Sequence, residues 1–362
     1  MIYNVIGLMS GSSLDGLDIV FVSFQENSGK WDYTIECAGC LQYTKEWTKK
    51  LESAIHLPAS EYMLLHSEYG KYTGEKINEF IEMNGLHHRV FLIGSHGHTT
   101  FHEPESGMTH QLGEGATIAA ITGLPVVSDL RNLDIAFGGQ GAPIVPMGEK
   151  LLFPDYHFFL NLGGIANISA LQDDSFVAFD VCAANRVLNM LAETNFKSYD
   201  KDGEMASEGH IHQGLLAELN KLEYYDRPYP KSLANSFGTD IVFPLIQTFL
   251  LSAEDALSTY CEHIALQVKN AIEPFIGNKE EKLMITGGGA FNTYLIERIS
   301  FHLKSINVDI YIPGEETVAY KEALIMGLLG ILRWREQNTV LASVTGASRN
   351  SIGGALWLGT DA

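Results

Sequence analysis

Apolar positions open the chain as a short run at residues 3–6 and return at 19–24, with a glycine-rich stretch, residues 7–16 (GLMSGSSLDG), between them. The pattern recurs near the middle of the chain. Residues 158–160 are apolar, 161–167 (NLGGIAN) are turn-like, 168–171 are apolar again, and a further run over 175–179 ends on Asp180. Both passages read as strand, turn, strand. In the first half a β-like stretch follows at 33–41, then helical spacing over 46–57 and 61–83. A short strand at 90–93, a helix at 115–122, a strand at 125–128 and a loop at 137–143 (FGGQGAP) complete it. The second half continues with helices over 185–193, 241–251 and 253–276, a buried-type strand at 282–286, a helix at 291–303, a strand at 308–312 and a long helix over 315–337. Strands interleaved with helices argue α/β with a partly parallel sheet in each half, and the strand–turn–strand openings make each sheet mixed. The pattern restarts around 151–155. We therefore expect one domain over 1–152, a second over 153–339, and residues 340–362 returning to the first.

Composition narrows the classes. At 362 residues the chain suits two domains, and 46% apolar against 19% charged residues is a globular balance. The formal net charge of −20 disfavours nucleic acid and anionic membranes as partners. The longest late apolar stretch, 323–332, is too short to span a bilayer. No basic segment precedes the first apolar run, and four cysteines make no disulfide framework in a chain this long, so a cytoplasmic location is expected.

Candidate chemistry gathers at the turns. Gly11 and Gly16 free the backbone for a close anion, and Ser12 and Ser13 add hydroxyl donors; the other reading is an ordinary glycine turn. The spacing is that of a Walker A loop, but Leu17-Asp18 stands where Lys-Ser/Thr is required. Asp180 at a strand end can take a proton from a water or hydroxyl, or it can cap the helix over 185–193. The triplet Gly287, Gly288, Gly289, followed by Asn292, can back a flat ligand such as adenine or form a tight strand–helix turn. His96, His98 and His102 do not have the spacing of a metal signature; a substrate contact suits His96 better. Cys37 and Cys40 form a CxxC inside a β-like segment, which does not favour redox chemistry. Arg131 can grip a carboxylate bidentately or make a surface ion pair.

Together these residues resemble the anhydro-N-acetylmuramic acid kinase family, of the sugar kinase/Hsp70/actin group of folds. The matching stretches are 7–18, 93–102, 127–146 (VSDLRNLDIAFGGQGAPIVP), 161–167, 199–203 (YDKDG), 230–232, 286–292 and 343–348 (SVTGAS). The resemblance implies a two-domain actin-like, ribonuclease H-like fold. Each domain would carry a mixed five-stranded sheet with flanking helices, and the active site would lie in an interdomain cleft that closes against bulk water. It implies ATP-dependent conversion of 1,6-anhydro-N-acetylmuramic acid to N-acetylmuramic acid 6-phosphate in peptidoglycan recycling, with Mg²⁺ and a homodimer. Asp180 would activate the water. Gly11, Ser12, Ser13, Leu14, Asp15, Gly16, Leu17 and Asp18 would hold phosphates, with Gly163 and Gly164 as their complement. Gly287, Gly288, Gly289 and Asn292 would back the adenosine, and Arg131, Glu322 and His96 would hold the sugar. Two departures stand out. Asp180-Val-Cys-Ala-Ala-Asn185 replaces the family's Asp-Thr-Gly-Pro-Gly-Asn, so Cys182 and Ala184 are expected to crowd a substrate or phosphate, and His98 stands where the family commonly has Gln. The rival readings are a kinase of the same fold for another sugar and a non-catalytic ATP-binding regulator.

Overall fold

The structure is a computed structural model describing residues 1–11, 14–172, 175–229, 231–234, 236–277 and 281–359. Ser12, Ser13 and Pro230 lie outside the described residues. The first strands are β1 (Ile2–Ser10), β2 (Gly16–Asn27), β3 (Lys30–Gln42), β4 (Leu92–Glu103), β5 (Met108–Leu112) and β6 (Val126–Ser128). Those that follow are β7 (Phe158–Leu162), β8 (Ile165–Gln172), β9 (Ser175–Ala183), β10 (Glu281–Thr286), β11 (Val308–Tyr311) and β12 (Ala355–Trp357). The chain divides into two compact units, Met1–Pro154 with Tyr320–Ala362, and Asp155–Ala319. Residues 320–339 thus group with the first unit, not with the second half where the sequence pattern had put them. The division falls inside the helix Glu315–Trp334, at Tyr320, whose φ of −120° and ψ of 17° are not helical.

The first unit's sheet runs β12-β6-β4-β1-β2-β3, with β5 pairing β4. It has seven strands rather than the expected five, because β4 continues past Gly94 into a hairpin with β5, and the chain end adds β12 antiparallel to β6. The second unit's sheet has the expected five strands, β11-β10-β7-β8-β9. In both, the first three strands form an antiparallel meander, and two later ones, β4 and β6 in the first unit and β10 and β11 in the second, run parallel to the first strand on its other side. This is the ribonuclease H-like order, occurring twice. Among the described residues no helix is long and apolar enough to cross a membrane.

Burial explains the strand sequences. β1 is central, and Val5, Ile6 and Leu8 are all buried, as a strand covered on both faces requires. The covering on one face is the apolar stretch from Ala323 onward. A Cβ at Gly7 would lie 2.0 Å from the Ala323 carbonyl oxygen, and one at Gly94 would lie 2.2 Å from that of Met326. Helix backbone therefore rests directly on strand backbone, and the contact of Ala323 with Gly7 fixes the neighbouring Glu322 near β1. In the second unit, alternate residues of β7 (Phe158, Leu160, Leu162) meet the helix Ala253–Ile272 in one core.

Candidate active site

In the first unit, β1 ends on Ser10, which is buried. Its hydroxyl bonds to the Tyr43 hydroxyl (2.7 Å) and to His98 Nδ1 (2.9 Å). Of the loop that follows, Leu14 holds a left-handed φ of 57° without being glycine, and its side chain packs with the cluster around Tyr62 and Tyr69. Leu17 belongs to the core with Ile19 and Phe21, so only its backbone could serve a ligand. Gly16 is a packing requirement: a Cβ there would lie 2.5 Å from Cys40 Sγ. Asp18 pairs with Cys40 across β2 and β3. Burial pushes its carboxyl up to about 6, the Cys40 thiol pulls it back, and Asp15 and Glu322 push it further. Cys40 itself is pushed up to about 12, first by burial and then by Asp18, so it offers no thiolate.

A β-bulge separates the histidines. Leu8 pairs with Ser95 but Ser10 pairs with His98, and Gly97 takes a left-handed φ of 76° between them. His98 turns to Ser10. His96 turns to Arg131, whose Nε donates to His96 Nε2 at 2.9 Å, while His96 Nδ1–H donates to the Gly97 carbonyl at 2.9 Å. Burial and the arginine's charge hold His96 down to about 3, so it is a neutral acceptor. Both its ring nitrogens are engaged, so its service to a ligand runs through Arg131. His102 bonds instead to Thr109. Among the described residues no group of three or more His, Cys, Asp or Glu is placed to hold a metal ion.

The Arg131 guanidinium is fixed a second time, Nη1 donating to the Gly141 carbonyl at 2.7 Å. Gly141 N–H donates to Asp134, and the Thr345 hydroxyl donates to the other oxygen of that fully buried carboxylate. The strings over 127–146 and 343–348 therefore meet in space, and what they build is the seat of one arginine. Burial draws Arg131 down to about 10 and leaves it charged, while Glu322 and Asp134 favour that charge. The Glu322 carboxyl is pushed up by burial and drawn back by Lys321 and Arg131. Next to it, Lys321 and Glu149 form a buried ion pair at 2.8 Å.

In the second unit, Asp180 lies beside a bulge: Ala166 pairs with Cys182, but Asn167 pairs with Asp180. Its N–H bonds to the Lys231 carbonyl, its carbonyl accepts from the Tyr224 hydroxyl, and Oδ2 accepts the Leu233 N–H at 2.8 Å. It does not cap the helix Asn185–Glu193, whose N-cap is Ala184 without a side-chain bond. Burial raises the carboxyl above its usual range, and the Leu233 bond opposes that. The ion pairs among the described residues do not include Asp180. Val181, Cys182, Ala183 and Ala184 all belong to this unit's apolar core. The expected crowding by Cys182 and Ala184 is therefore not what these side chains do; they fill the interior.

The turn between β7 and β8 is held from behind. Ala184 N–H donates to the Gly164 carbonyl and Asn185 N–H to the Gly163 carbonyl, while Asn185 Nδ2 donates to the Leu162 carbonyl. A Cβ at Gly163 or Gly164 would meet no atom closer than 3.4 Å or 3.9 Å, and neither has a positive φ. Packing does not demand glycine at either position. Gly287 and Gly289 differ: Cβ atoms there would come within 2.6 Å of Asn161 Oδ1 and 2.7 Å of Leu162 Cβ, so these two glycines are needed for packing against the turn. Gly288 is open, with nothing nearer than 3.7 Å. Asn292 spends its side-chain oxygen capping the helix Thr293–Lys304 through Leu295 N–H. Sequence reasoning missed Asp134, Thr345 and Asn185, although all three lie in stretches it had marked. It also missed Leu233, whose N–H orients the Asp180 carboxylate and which no spacing pointed to.

The family model of anhydro-N-acetylmuramic acid kinase matches residues 3–359. An anhydro-N-acetylmuramic acid kinase of Aliivibrio fischeri is 33% identical over 97% of this chain and 98% of its own. One of Hydrogenovibrio crunogenus is 32% identical over 97% of each chain. One of Vibrio cholerae is 31% identical over 95% of each.

Proposed function

The chain belongs to the anhydro-N-acetylmuramic acid kinase family, and from that premise we propose that it opens 1,6-anhydro-N-acetylmuramic acid with water and passes the γ-phosphoryl group of ATP to the freed O6. The products are N-acetylmuramic acid 6-phosphate and ADP. The observation that carries this reading is Asp180. One carboxylate oxygen is fixed by Leu233 N–H, no cation among the described residues pairs with it, and burial raises its proton affinity. Such a group is oriented and basic enough to deprotonate a water attacking the anomeric carbon, a contribution of about 10²–10⁴-fold. As the C1–O6 bond breaks, O6 takes the bonding pair and needs no base of its own.

Arg131, held on two sides, is suited to the lactyl carboxylate of the sugar, with His96 as its support and Glu322 beside it. Gly163 and Gly164 give backbone approach to phosphates, and Gly288 leaves room for the adenosine. Asp15 and Asp18 offer hard oxygen donors whose mutual repulsion a divalent cation would relieve, which suits Mg²⁺. Mg²⁺ would supply charge neutralisation on the phosphate oxygens. Because the segment 181–184 adds no side chain to this site, it gives no support to a different sugar. The setting we propose is cytoplasmic recycling of cell-wall sugar by a homodimer.

The test runs the reaction in ¹⁸O-water with the anhydro sugar and ATP, reading ADP by a coupled assay and product masses at once after quenching. Sugar-dependent ADP release with label on the sugar and none in the phosphate is expected. Label in the phosphate, or ADP release indifferent to the sugar, refutes the proposal.

A further inference from the structure

Beside the β7–β8 turn stands a cation that the described residues leave unsatisfied. Arg186, the second residue of the helix Asn185–Glu193, is half-buried, and its Nε is buried without a hydrogen-bond partner. Among the described residues its side chain takes part in no hydrogen bond and no ion pair, in a chain with 44 acidic side chains to choose from. Leaving a buried donor on a charged group unpaired is costly, so such a group signals a missing anion.

The position says which anion. A Cβ built on Gly164 would stand 4.0 Å from Arg186 Nε, so the guanidinium flanks the turn. The turn's carbonyls at Gly163 and Gly164 are taken by the first amides of the helix. In a trans peptide the N–H points opposite to the C=O, so the Gly164 N–H is turned away from the Asn185 amide that takes the Gly163 carbonyl. The two glycines leave that face bare for reasons packing does not supply. The bare Cβ position of Gly164 and an Arg186 Nε without a partner among the described residues thus lie on the same flank of the turn.

We propose that Arg186 is a ligand for the polyphosphate chain of the nucleotide, bound against the Gly163–Gly164 turn. This rests on the reading of that turn as a phosphate site and adds to it the side chain that supplies the positive charge.

The test compares wild type, Arg186→Met and Arg186→Lys by calorimetric titration with ADP and with adenosine, without sugar, alongside the ligand-free melting temperature. A charged hydrogen bond is worth about 1.5–3 kcal/mol, which is roughly 10- to 150-fold in affinity. The methionine variant is expected to bind ADP weaker by that factor and adenosine unchanged, with the lysine variant in between. Its ligand-free melting temperature should hold or rise, because an unpaired buried donor has been removed. ADP affinity within twofold of wild type, equal losses for ADP and adenosine, or a fall of several degrees in ligand-free melting overturns the assignment. A wild type that binds neither ligand overturns the phosphate-site reading itself, and that result is told apart because it appears before any substitution.

Discussion

Replacing His96 with alanine tests whether Arg131 binds the sugar and whether His96 acts only through it. The arginine's Nε would lose its 2.9 Å acceptor, while its bond to the Gly141 carbonyl would remain. His96 is only 3% exposed, so water does not simply take its place. A hydrogen bond to a charged donor contributes about 1.5–3 kcal/mol, and each 1.4 kcal/mol is tenfold. The KM for the anhydro sugar should therefore rise roughly 10- to 150-fold, with the KM for ATP little changed. His96→Gln, which keeps an acceptor on a similar reach, should recover part of the loss. The pH dependence adds a second readout. His96 is held down to about 3, so its neutral form is the working one, and protonation would matter only well below an ordinary histidine's range. The wild-type KM for the sugar should show no inflection near an ordinary histidine pKa of about 6.5. The assay is steady-state ADP release with each substrate varied in turn, on variants matched for melting temperature. A sugar KM within twofold of wild type refutes the support of Arg131. A rise in ATP KM as large as that in sugar KM refutes the assignment of Arg131 to the sugar.

Asp180→Asn should leave melting unchanged and lower kcat by roughly 10³-fold, within the range of general-base catalysis; near-normal turnover would remove the base from Asp180. Lys321→Met should unfold the protein at lower denaturant by about 3–5 kcal/mol, because the pair is 4% and 2% exposed and the second oxygen of Glu149 already lacks a partner. Converting Glu149 to methionine as well should restore most of that loss in urea melts, and a double variant as unstable as the single one would contradict this. Asp18 has its folded carboxyl raised to about 6 from 3.8, so its neutral form is the one the fold favours. Its contribution is full at low pH and is lost as pH rises through about 6. Asp18→Asn should accordingly raise the ligand-free melting temperature at neutral pH relative to wild type and narrow the difference toward pH 4. An equal shift at both ends would show that ionisation is not the cause.

Local pattern carried much of this molecule. The two strand–turn–strand openings, the helices Gly115–Thr122 and Asn185–Glu193, and an acidic residue on β9 are all set by near neighbours in the chain, where periodicity and glycine placement act directly. The hairpin of β4 and β5 was not legible, because His96, His98, His102 and Gln111 break the apolar alternation; His96 and His98 face Arg131 and Ser10 from elsewhere in the sequence, and His102 and Gln111 bond to threonines of the hairpin itself. The helix Glu204–Glu208 escaped for want of length. Gly7 and Gly94 read as turn or strand-end glycines until helix backbone was seen lying on them, a contact between residues more than 200 positions apart. The same holds for the chain Thr345, Asp134, Gly141, Arg131, and for Arg186 without a partner. A side chain's type is written locally, but whether it meets an acceptor, a core or nothing is decided by which distant segments arrive beside it. Tertiary packing therefore decided which glycines serve a ligand and which merely make room.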